Sequence, residues 1–378
     1  MIDLLRSALP DTVDDQPLAA VERDWLVQQA VAGLAEARRA PSFAAVNLAK
    51  WFRKNRSLGS RDRRLVSDLV YDAIRHEAIL LRSGARSPED LIRGAAAISA
   101  GERFPSLEGH SAEEDLATAL NVPGPVASEW LQALGEEGAA QLAASINQRP
   151  PVDIRVNTLK TTREILQADL AEEGIETQGL AELETHLEVI GRANLLATSA
   201  FRAGHFEVQD RASQAMCAAL DVRPGMTIVD LCAGAGGKSL ALAARGAVVH
   251  ATDIRSRALD ELKKRSDRAG ARVEIVQPSE ADLVLVDAPC SGSGRIRRNP
   301  AIRWGLTDQA HLATQAQLME EAAAFVRPGG TLVYATCSLL ARENAHPTPP
   351  GFDEASSELR WPHVHGSDGF YWRVMVRS

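Results

Sequence analysis

The spacing of apolar residues changes twice along this chain. Up to about residue 148, alanine, leucine and valine recur every three or four positions among charged residues, which is typical of amphipathic helices. From about residue 221, short apolar runs alternate with glycine turns and helical stretches, which predicts strands separated by helices. Between them, Val152–Asn157 alternates apolar and polar residues as a half-buried strand does. We therefore predict a helical domain over 1–148, a small β-α connecting element over 149–220 and an α/β domain over 221–378.

The α/β domain has the pattern of a doubly wound, mostly parallel, Rossmann-like sheet. Its strands are rich in valine, isoleucine and leucine and are separated by helices, as in parallel sheets covered on both faces. Pro150 and Pro151 mark the linker before the connecting element, because proline lacks an amide donor. The prolines of 347–350 and the sparse apolar content through Leu359 predict an exposed loop.

Composition limits the class of protein. The chain has 378 residues, of which 45% are hydrophobic, enough for a large core in two or three domains. The start, Met1–Arg6, lacks the features of a secretory signal, and no apolar run reaches membrane-spanning length, so we expect a cytoplasmic protein that binds no membrane. Four cysteines without a Cys-x-x-Cys spacing predict neither a disulfide framework nor a metal site. A net charge of −8 argues against a uniformly basic surface but leaves a local basic groove open.

A glycine-rich loop follows the first strand of the α/β domain. Its residues are Cys232, Ala233, Gly234, Ala235, Gly236, Gly237 and Lys238. A phosphate-binding P-loop is excluded because Cys232 stands where that motif needs glycine, and the dinucleotide fingerprint fails at Ser239. Asp253 ends the second strand about twenty residues later, where a carboxylate can accept both ribose hydroxyls, although a helix N-cap is the alternative. This arrangement fits S-adenosylmethionine.

Two cysteines follow apolar runs near the carboxyl ends of predicted strands. Cys290 closes the sequence Asp287-Ala288-Pro289-Cys290, and Cys337 lies within Thr336-Cys337-Ser338. Ligands of doubly wound sheets gather beyond the carboxyl ends of the strands, so both residues are candidate active-site thiols. For either cysteine alone, an inert buried thiol is the alternative.

A cluster of cations lies in the helical domain. Arg61, Arg63 and Arg64 follow the break at Leu58-Gly59-Ser60, and we expect them to contact RNA phosphates, with a solvated helix face as the alternative. The segment 58–66, followed by Tyr71 and Arg75, resembles the NusB-like RNA-binding domain.

The carboxy-terminal half resembles the Nol/Nop/Sun family of RNA cytosine-5 methyltransferases, and in particular its bacterial Sun (Fmu) branch, which modifies small-subunit ribosomal RNA. The resemblance depends on ordered motifs: Val208–Ser213, Cys232–Lys238, Asp253, Asp287–Gly294, Arg297–Pro300, Gly330–Ser338, Glu343-Asn344 and Asp368–Tyr371. It implies S-adenosylmethionine held by residues 232–238, Asp253 and Asp287, and structured RNA, expected to be 16S rRNA, as the partner of a monomer. It also implies that Asp287 contacts both the base and the cofactor.

The chemistry of such enzymes requires two thiols. Carbon 5 of cytosine is a poor nucleophile until a thiolate adds to carbon 6, and a second group must then help to remove the proton from carbon 5. The resemblance implies that Cys337 is the nucleophile and that Cys290 assists release. A free thiol has a pKa of about 8.5, so nearby positive charge is needed. Four arginines can supply it or hold the RNA backbone, with a solvated basic loop as the alternative: Arg295, Arg297, Arg298 and Arg303.

Two departures from the family leave other functions open. The family loop reads Cys-Ala-x-Pro-Gly-Gly-Lys, whereas Gly234 and Ala235 stand at its third and fourth positions here, which predicts a looser turn. The family's Gly-Asp element after the third strand is absent, and Gln277 or Ser279 would have to replace it. The alternatives are an RNA-binding assembly factor with weakened turnover, tRNA in place of rRNA, or a methyltransferase acting on protein or a small molecule.

Overall fold

The computed structural model describes residues 20–40, 44–100 and 112–378. The chain divides into two compact units. Among the described residues, the first comprises those up to 149 together with 291–308 and 362–364, and the second comprises residues 150–290, 309–361 and 365–378. The segment Met1–Arg6, for which the sequence predicts no secretion signal, lies outside the described residues. No helix in the described ranges is long and apolar enough to cross a membrane.

The first unit is helical, as predicted. Its helices are α1 Asp24–Arg38, α2 Ala44–Lys54, α3 Ser60–Arg75, α4 Glu77–Arg82, α5 Pro88–Ser99, α6 Ala112–Leu120 and α7 Gly124–Ile146. Apolar residues three or four apart, such as Leu26 and Ala30 in α1 and Val66 and Leu69 in α3, are fully buried in a common core. Helix formation thus follows from the apolar stripe that each segment carries.

Residues 291–308 fold with the helical unit, although the sequence prediction assigned them to the α/β domain. Two short 3-10 turns, Ser293–Arg295 and Pro300–Gly305, shape this segment. Ala301 is fully buried in the helical core, and the Trp304 Nε1 donates to Glu77 Oε2 over 2.8 Å. A local apolar pattern does not reveal which of two cores a segment packs into. The packing of residues 291–308 with the helices could therefore not be predicted from the sequence.

The second unit begins with a four-stranded antiparallel sheet. Its elements are β1 Val152–Val156, α8 Arg163–Glu172, β2 Thr177–Leu180, β3 Leu183–Val189, α9 Ser199–Ala203 and β4 Phe206–Val208. The strand order is β2-β3-β1-β4, with every pair antiparallel. The sequence predicted only β1 and α8, because the other three strands are short or carry few apolar residues.

A seven-stranded sheet forms the rest of the second unit and confirms the predicted doubly wound, mostly parallel α/β fold. The elements from here to the end of the chain are α10 Arg211–Ala219, β5 Thr227–Asp230, α11 Gly237–Ala243, β6 Val248–Ala251, α12 Ser256–Ala269, β7 Val273–Ile275, β8 Ala281–Asp287, α13 His311–Phe325, β9 Val326–Thr336, α14 Ala341–Asn344, β10 Phe352–Arg360, α15 Pro362–His365 and β11 Phe370–Arg377. Of these, α15 belongs to the first unit except for His365. The strand order is β10-β11-β9-β8-β5-β6-β7, and the five strands from β9 to β7 are parallel.

The predicted exposed loop through Leu359 is wrong, because most of it forms the edge strand β10. This strand pairs antiparallel with β11. Its residues 353–357 are exposed, so they show no apolar alternation, and an edge strand of this kind resembles a loop in sequence.

The two sheets of the second unit meet where Gly204, after α9, lies against the end of α12. The side-chain amide of Asn157 donates to the carbonyl oxygens of Gly204 and Ala269, each over 2.8 Å. Gly204 has a φ of +76°, and a Cβ placed there would lie 2.1 Å from the Arg268 carbonyl oxygen. Only glycine therefore fits this junction.

We predict that Gly204→Ala strongly destabilises the second unit. Gly174→Ala is the matched control, because Gly174 has a φ of +77° but a Cβ placed on it would meet no atom within 4 Å. Both variants incur left-handed strain of about 1–2 kcal/mol, whereas only Gly204→Ala adds a backbone clash, expected to cost a further ~1–3 kcal/mol. Urea denaturation measures the difference. Equal losses in the two variants would contradict the close packing of Gly204.

Candidate active site

The two predicted thiols lie together at the carboxyl ends of neighbouring strands. In the parallel register of β8 and β9, Asp287 stands opposite Ala335, and the Ala288 N–H donates to the Ala335 carbonyl over 2.8 Å. The chain then turns on both strands, and the Sγ atoms of Cys290 and Cys337 lie 3.4 Å apart. Both cysteines are half-buried, so neither residue is sealed in the core.

Lys238 supplies positive charge beside this pair. Its Nζ lies 2.6 Å from Asp287 Oδ2 and 4.9 Å from the centre of the Phe370 ring. Burial lowers the pKa of Lys238, but the charge of Asp287, its hydrogen bond to the ammonium and other nearby groups together outweigh burial, so the pKa is raised and the ammonium stays protonated. Cys337 also interacts electrostatically with this ammonium. The sequence offered the arginines that follow Cys290 as one source of this field, beside their expected contact with RNA.

The other two cysteines hold neutral thiols. Burial raises the pKa of Cys217 to about 11. Burial, reinforced by the charge of Asp230, raises the pKa of Cys232 to about 12. A thiol must ionise to act as a nucleophile, so Cys217 and Cys232 are poor candidates for that step.

The glycine-rich loop forms a closed turn between β5 and α11. The Gly236 N–H donates to the Ala233 carbonyl over 2.8 Å, and Gly236 has a φ of +85°. A Cβ on Gly236 would lie 2.7 Å from Leu262 Cγ, so the close approach to α12 also requires glycine. Arg265 Nη1 donates to the Ala235 carbonyl over 2.7 Å. These contacts hold the turn at the position where the family sequence has proline.

Asp253 lies beside this loop at the end of β6, as predicted. Its Oδ2 accepts the Gly234 N–H over 2.8 Å, and the Arg255 guanidinium donates to its Oδ1 over 2.9 Å. Asp253 is not the N-cap of α12, because Arg255 occupies that position. The carboxylate is almost fully buried, whereas the side chain of Arg255 is 68% exposed. A ribose diol can therefore reach Asp253 by displacing a solvent-exposed arginine.

Asp230, at the end of β5, is a buried carboxyl group that the sequence analysis did not select. Ser239, in the first turn of α11, donates from Oγ to Asp230 Oδ2 over 2.6 Å. The Oδ1 atom is buried and makes no hydrogen bond within the described part of the chain. Burial raises the pKa of Asp230 to about 7. An acceptor atom left open beside a glycine-rich loop fits a ligand that brings a donor or a positive charge.

The residues around Cys337 are held by α14. Thr336 Oγ1 donates to Asn344 Oδ1 over 2.7 Å, and Asn344 Nδ2 donates to the Ser338 carbonyl over 3.0 Å. Ser338 Oγ donates to the buried carboxylate of Glu343. Thr336 and Ser338 are fully buried while Cys337 between them is accessible, so the turn presents the thiol and fixes its neighbours.

Two of the predicted RNA-contacting arginines are instead buried in the first unit. Arg297 is 7% exposed and donates to the Arg149 carbonyl over 3.2 Å. Arg303 is 3% exposed and donates to the Ile146 carbonyl over 3.3 Å and to Asn147 Oδ1 over 2.5 Å. Burial lowers the pKa of Arg303 to about 9. The predicted contact of Arg297 and Arg303 with RNA is thus wrong for this conformation, because a buried guanidinium cannot reach a phosphate.

The remaining predicted basic residues have different exposures. Arg61 and Arg64, at the start of α3, lie at the surface, and Arg295 is exposed as well. Arg63 is half-buried, and its Nε donates to the Leu58 carbonyl over 2.9 Å. Arg298 is half-buried. Arg61, Arg64 and Arg295 are therefore the most accessible of the predicted cations.

Known proteins are similar to this chain in sequence and in fold. The family model described as 16S rRNA methyltransferase RsmB/F matches residues 217–349, and one described as an RsmF/B-like ferredoxin-like domain matches residues 123–193. A Bacillus subtilis protein named "Probable ribosomal RNA small subunit methyltransferase B" is 30% identical over 344 residues, which cover 78% of this chain and 76% of that protein. The chain belongs to the RsmB/F family.

A second relative agrees with this assignment, and two solved structures share the fold. The Ribosomal RNA small subunit methyltransferase B of Pectobacterium carotovorum is 34% identical over 261 residues, and the match spans 61% of each protein. The crystal structure of PH0851 superposes with a TM-score of 0.73 at 24% identity, over 92% of this chain and 98% of that one. NSun6 from Pyrococcus horikoshii, solved with SFG, superposes with a TM-score of 0.58 at 18% identity, over 66% and 97%. At such identities the two structures establish the fold alone.

We predict that Asp230→Asn stabilises this RsmB/F protein more at high pH than at low pH. An exposed aspartate titrates near 3.8, so the unfolded chain loses its proton first as the pH rises, whereas the folded chain keeps it to about pH 7. The free energy of unfolding of the wild type thus decreases progressively between these two pH values, and the decrease is complete above pH 7. Asparagine carries no such penalty. The difference in Tm between the variant and the wild type should grow by at least about 3 °C from pH 5 to pH 8.

Thermal denaturation at both pH values checks this, with Asp260→Asn as the control on the exposed face of α12. A difference for Asp230→Asn that stays flat with pH would show that the Asp230 carboxyl ionises without penalty in the folded protein.

Proposed function

We propose that this protein transfers a methyl group from S-adenosylmethionine to carbon 5 of a cytosine in RNA, with 16S rRNA as the substrate. The names of its relatives support RNA methylation. The cytosine chemistry is supported above all by the pair of thiols, Cys290 and Cys337, with 3.4 Å between their sulfur atoms. Methyl transfer to an oxygen or an amine needs no such pair, whereas transfer to carbon 5 needs one group to add and another to help release.

The residues of the glycine-rich loop and its surroundings fit S-adenosylmethionine. When bound, this cofactor supplies an electrophilic methyl group on a sulfonium. Gly234 leaves open space at the loop, since a Cβ there would meet only the exposed guanidinium of Arg255, at 3.6 Å. Asp253 would accept the ribose hydroxyls. The unpaired oxygen of Asp230 adds a polar partner for the ligand, and a bound cation would favour the ionised form of this carboxyl group, whose pKa burial raises to about 7.

Cys337 acts as the nucleophile in this proposal. Its thiolate adds to carbon 6 of the cytosine, which makes carbon 5 electron-rich. The Lys238 ammonium favours the thiolate through its positive charge. Asp287, held by Lys238, bonds the amino edge or ring nitrogen of the base as charge develops there. The assignment of these roles to Cys337 and Asp287 follows the family resemblance.

Cys290 completes the reaction. After methylation, carbon 5 still carries a proton, and Cys290 assists its removal so that the sulfur of Cys337 can leave and the ring regains its double bond. A group in this role must lie beside the adduct, on the same base. The 3.4 Å separation of the sulfur atoms satisfies that condition.

The first unit offers the more accessible cations for RNA. Exposed side chains at the end of α2, in the following turn and at the start of α3 are Arg53, Lys54, Arg56, Arg61 and Arg64. Clustered cations of this kind bind phosphates through their charge, without reading sequence. This patch, with Arg295, is our proposed RNA-contacting surface.

A binding-only assembly factor is the second candidate. After β7, residues 276, 277, 279 and 280 are exposed and carry no Gly-Asp element, so contacts to the adenine side would have to come from Gln277 or Ser279. Weak cofactor binding would leave the fold and the RNA surface without turnover. Calorimetric titration with S-adenosylmethionine distinguishes the two, since only an enzyme requires saturable binding.

We predict that Cys290→Ala accumulates a covalent complex with RNA. Without Cys290 the adduct of Cys337 forms but does not resolve, so a denaturation-resistant species should appear on gels when the variant is incubated with unmethylated 16S rRNA and S-adenosylmethionine. The double variant Cys290→Ala/Cys337→Ala should form none, and Cys217→Ala should behave as the wild type because its thiol is buried and neutral.

Bisulfite sequencing of the wild-type product identifies the methylated base. A single protected cytosine is expected. Absence of both the adduct and the protected cytosine would sink the proposed chemistry, and saturable RNA binding alone would then favour the assembly factor.

A further inference from the structure

The turn that carries Cys290 is held by a buried glutamine. Gln315, on α13, is fully buried, and its Nε2 donates to the Pro289 carbonyl over 2.9 Å. Pro289 immediately precedes Cys290. Its carbonyl is thus fixed by a side chain that the sequence analysis did not select and that has no role in the proposed chemistry.

His346 fixes that glutamine in turn. Its Nε2 lies 2.9 Å from Gln315 Oε1. Because the amide nitrogen of Gln315 is used toward Pro289, its oxygen faces His346 and must accept, so Nε2 of His346 carries the hydrogen. Burial, with the charge of Arg373, lowers the pKa of His346, and a neutral imidazole with its hydrogen on Nε2 satisfies the contact. The orientations of Gln315 and His346 therefore determine each other.

The same chain of contacts continues to the turn that carries Cys337. The ring of His346 stacks edge-on against Tyr334, with 5.5 Å between centroids. The Tyr334 hydroxyl donates to the Glu343 carbonyl over 2.7 Å, and the Glu343 carboxylate accepts from Ser338. Ser338 immediately follows Cys337. Contacts within the second unit thus link the residues adjacent to both thiols.

We propose that Gln315 and His346 are positioning residues that hold the Cys290 turn against the Cys337 turn, so that both thiols reach one base. This rests on the proposed function for its catalytic consequence, while the separation of the thiols is a property of the protein alone. A misplacement of about 1 Å costs up to ~100-fold in rate. The hydrogen bonds of Gln315 and His346 join Pro289 to α13 and do not involve Lys238 or the glycine-rich loop, so their loss should affect turnover and leave cofactor affinity unchanged.

Thiol bridging tests the positioning without RNA. Dibromobimane joins two nearby thiols, each displacing one bromide and losing its proton, and fluoresces once bridged. Gln315→Met keeps the side-chain length and removes both hydrogen bonds. We expect its bridging rate to fall roughly tenfold. Gln317→Met is the matched control on the same helix, because Gln317 is exposed and its side chain bonds Glu321 one turn along α13. Cys290→Ala defines the background from the other cysteines.

A second pair of variants separates the hydrogen bond from packing. His346→Phe keeps the ring against Tyr334 but loses the donor, whereas His346→Gln keeps a donor of similar reach. We expect bridging to fall in His346→Phe and to be largely restored in His346→Gln. Thermal denaturation identifies any variant that fails to fold. The bridging rates of the folded variants then decide whether these hydrogen bonds position the two thiols. Wild-type bridging in folded Gln315→Met or folded His346→Phe overturns the proposal.

Kinetics supply the catalytic readout. In Gln315→Met, kcat for methyl transfer should fall roughly tenfold with the KM for S-adenosylmethionine unchanged, and the covalent complex should accumulate because release depends on the placement of Cys290. If bridging falls as expected but the wild type methylates no RNA, the proposed function fails and the positioning stands. If the wild type methylates RNA and Gln315→Met matches it in both bridging and kcat, the positioning fails and the function stands.

Discussion

The site depends on the parallel pairing of β8 with β9. This pairing brings Asp287 and Ala335, which are far apart in sequence, opposite each other. Both strands end within a few residues of this pair, where the backbone turns away from the sheet. A slip of one residue would move every side chain of a strand to the opposite face. The short distance between Cys290 and Cys337 thus follows from the register of the two strands. Buried valines and leucines earlier in both strands stabilise that register.

Charge is distributed unevenly around this meeting point. Three carboxyl groups, Asp230, Asp253 and Asp287, lie on the ends of neighbouring strands, and Lys238 pairs with one of them. A site with this surplus of acidic groups favours a cation over a neutral ligand. The sulfonium of the proposed cofactor is cationic, whereas the product left after methyl transfer is neutral. The ionised carboxyl groups would therefore favour binding of the cofactor and release of the product.

Sequence patterns predicted the fold class and the members of the site that belong to motifs, because both depend on local order along the chain. Cys290, Cys337 and Asp253 lie just beyond strand ends, as expected, and Lys238 lies in the first turn of α11 after the glycine-rich loop. The misses arise where the partners of a segment, in burial or in strand pairing, come from distant parts of the chain. Arg303 reads as a surface cation until the residues around it are known, and β10 reads as a loop because its exposed edge needs no apolar face.

Positioning residues were missed for a related reason. Gln315 stands in an ordinary helical pattern, and only its contact with a carbonyl 26 residues away along the chain gives it significance. Polar residues in helices are usually solvated, so a buried glutamine is not distinguishable from an exposed one such as Gln317 by residue type.

The altered glycine-rich loop shows how tertiary contacts can replace a local constraint. Proline would restrict the backbone at position 235 through its ring. Here Ala235 lacks that restriction, and the guanidinium of Arg265 holds its carbonyl instead. Arg265 is itself oriented by Glu207, a buried carboxylate on β4 that also pairs with Arg268. The charge of this buried carboxylate is paired with two guanidinium groups, and moving either arginine away would leave it poorly paired, at a cost in free energy. Glu207 therefore holds Arg265 in one orientation. The loop is thereby fastened to the four-stranded sheet, and its rigidity depends on β4 and α12 together where the family sequence relies on one residue.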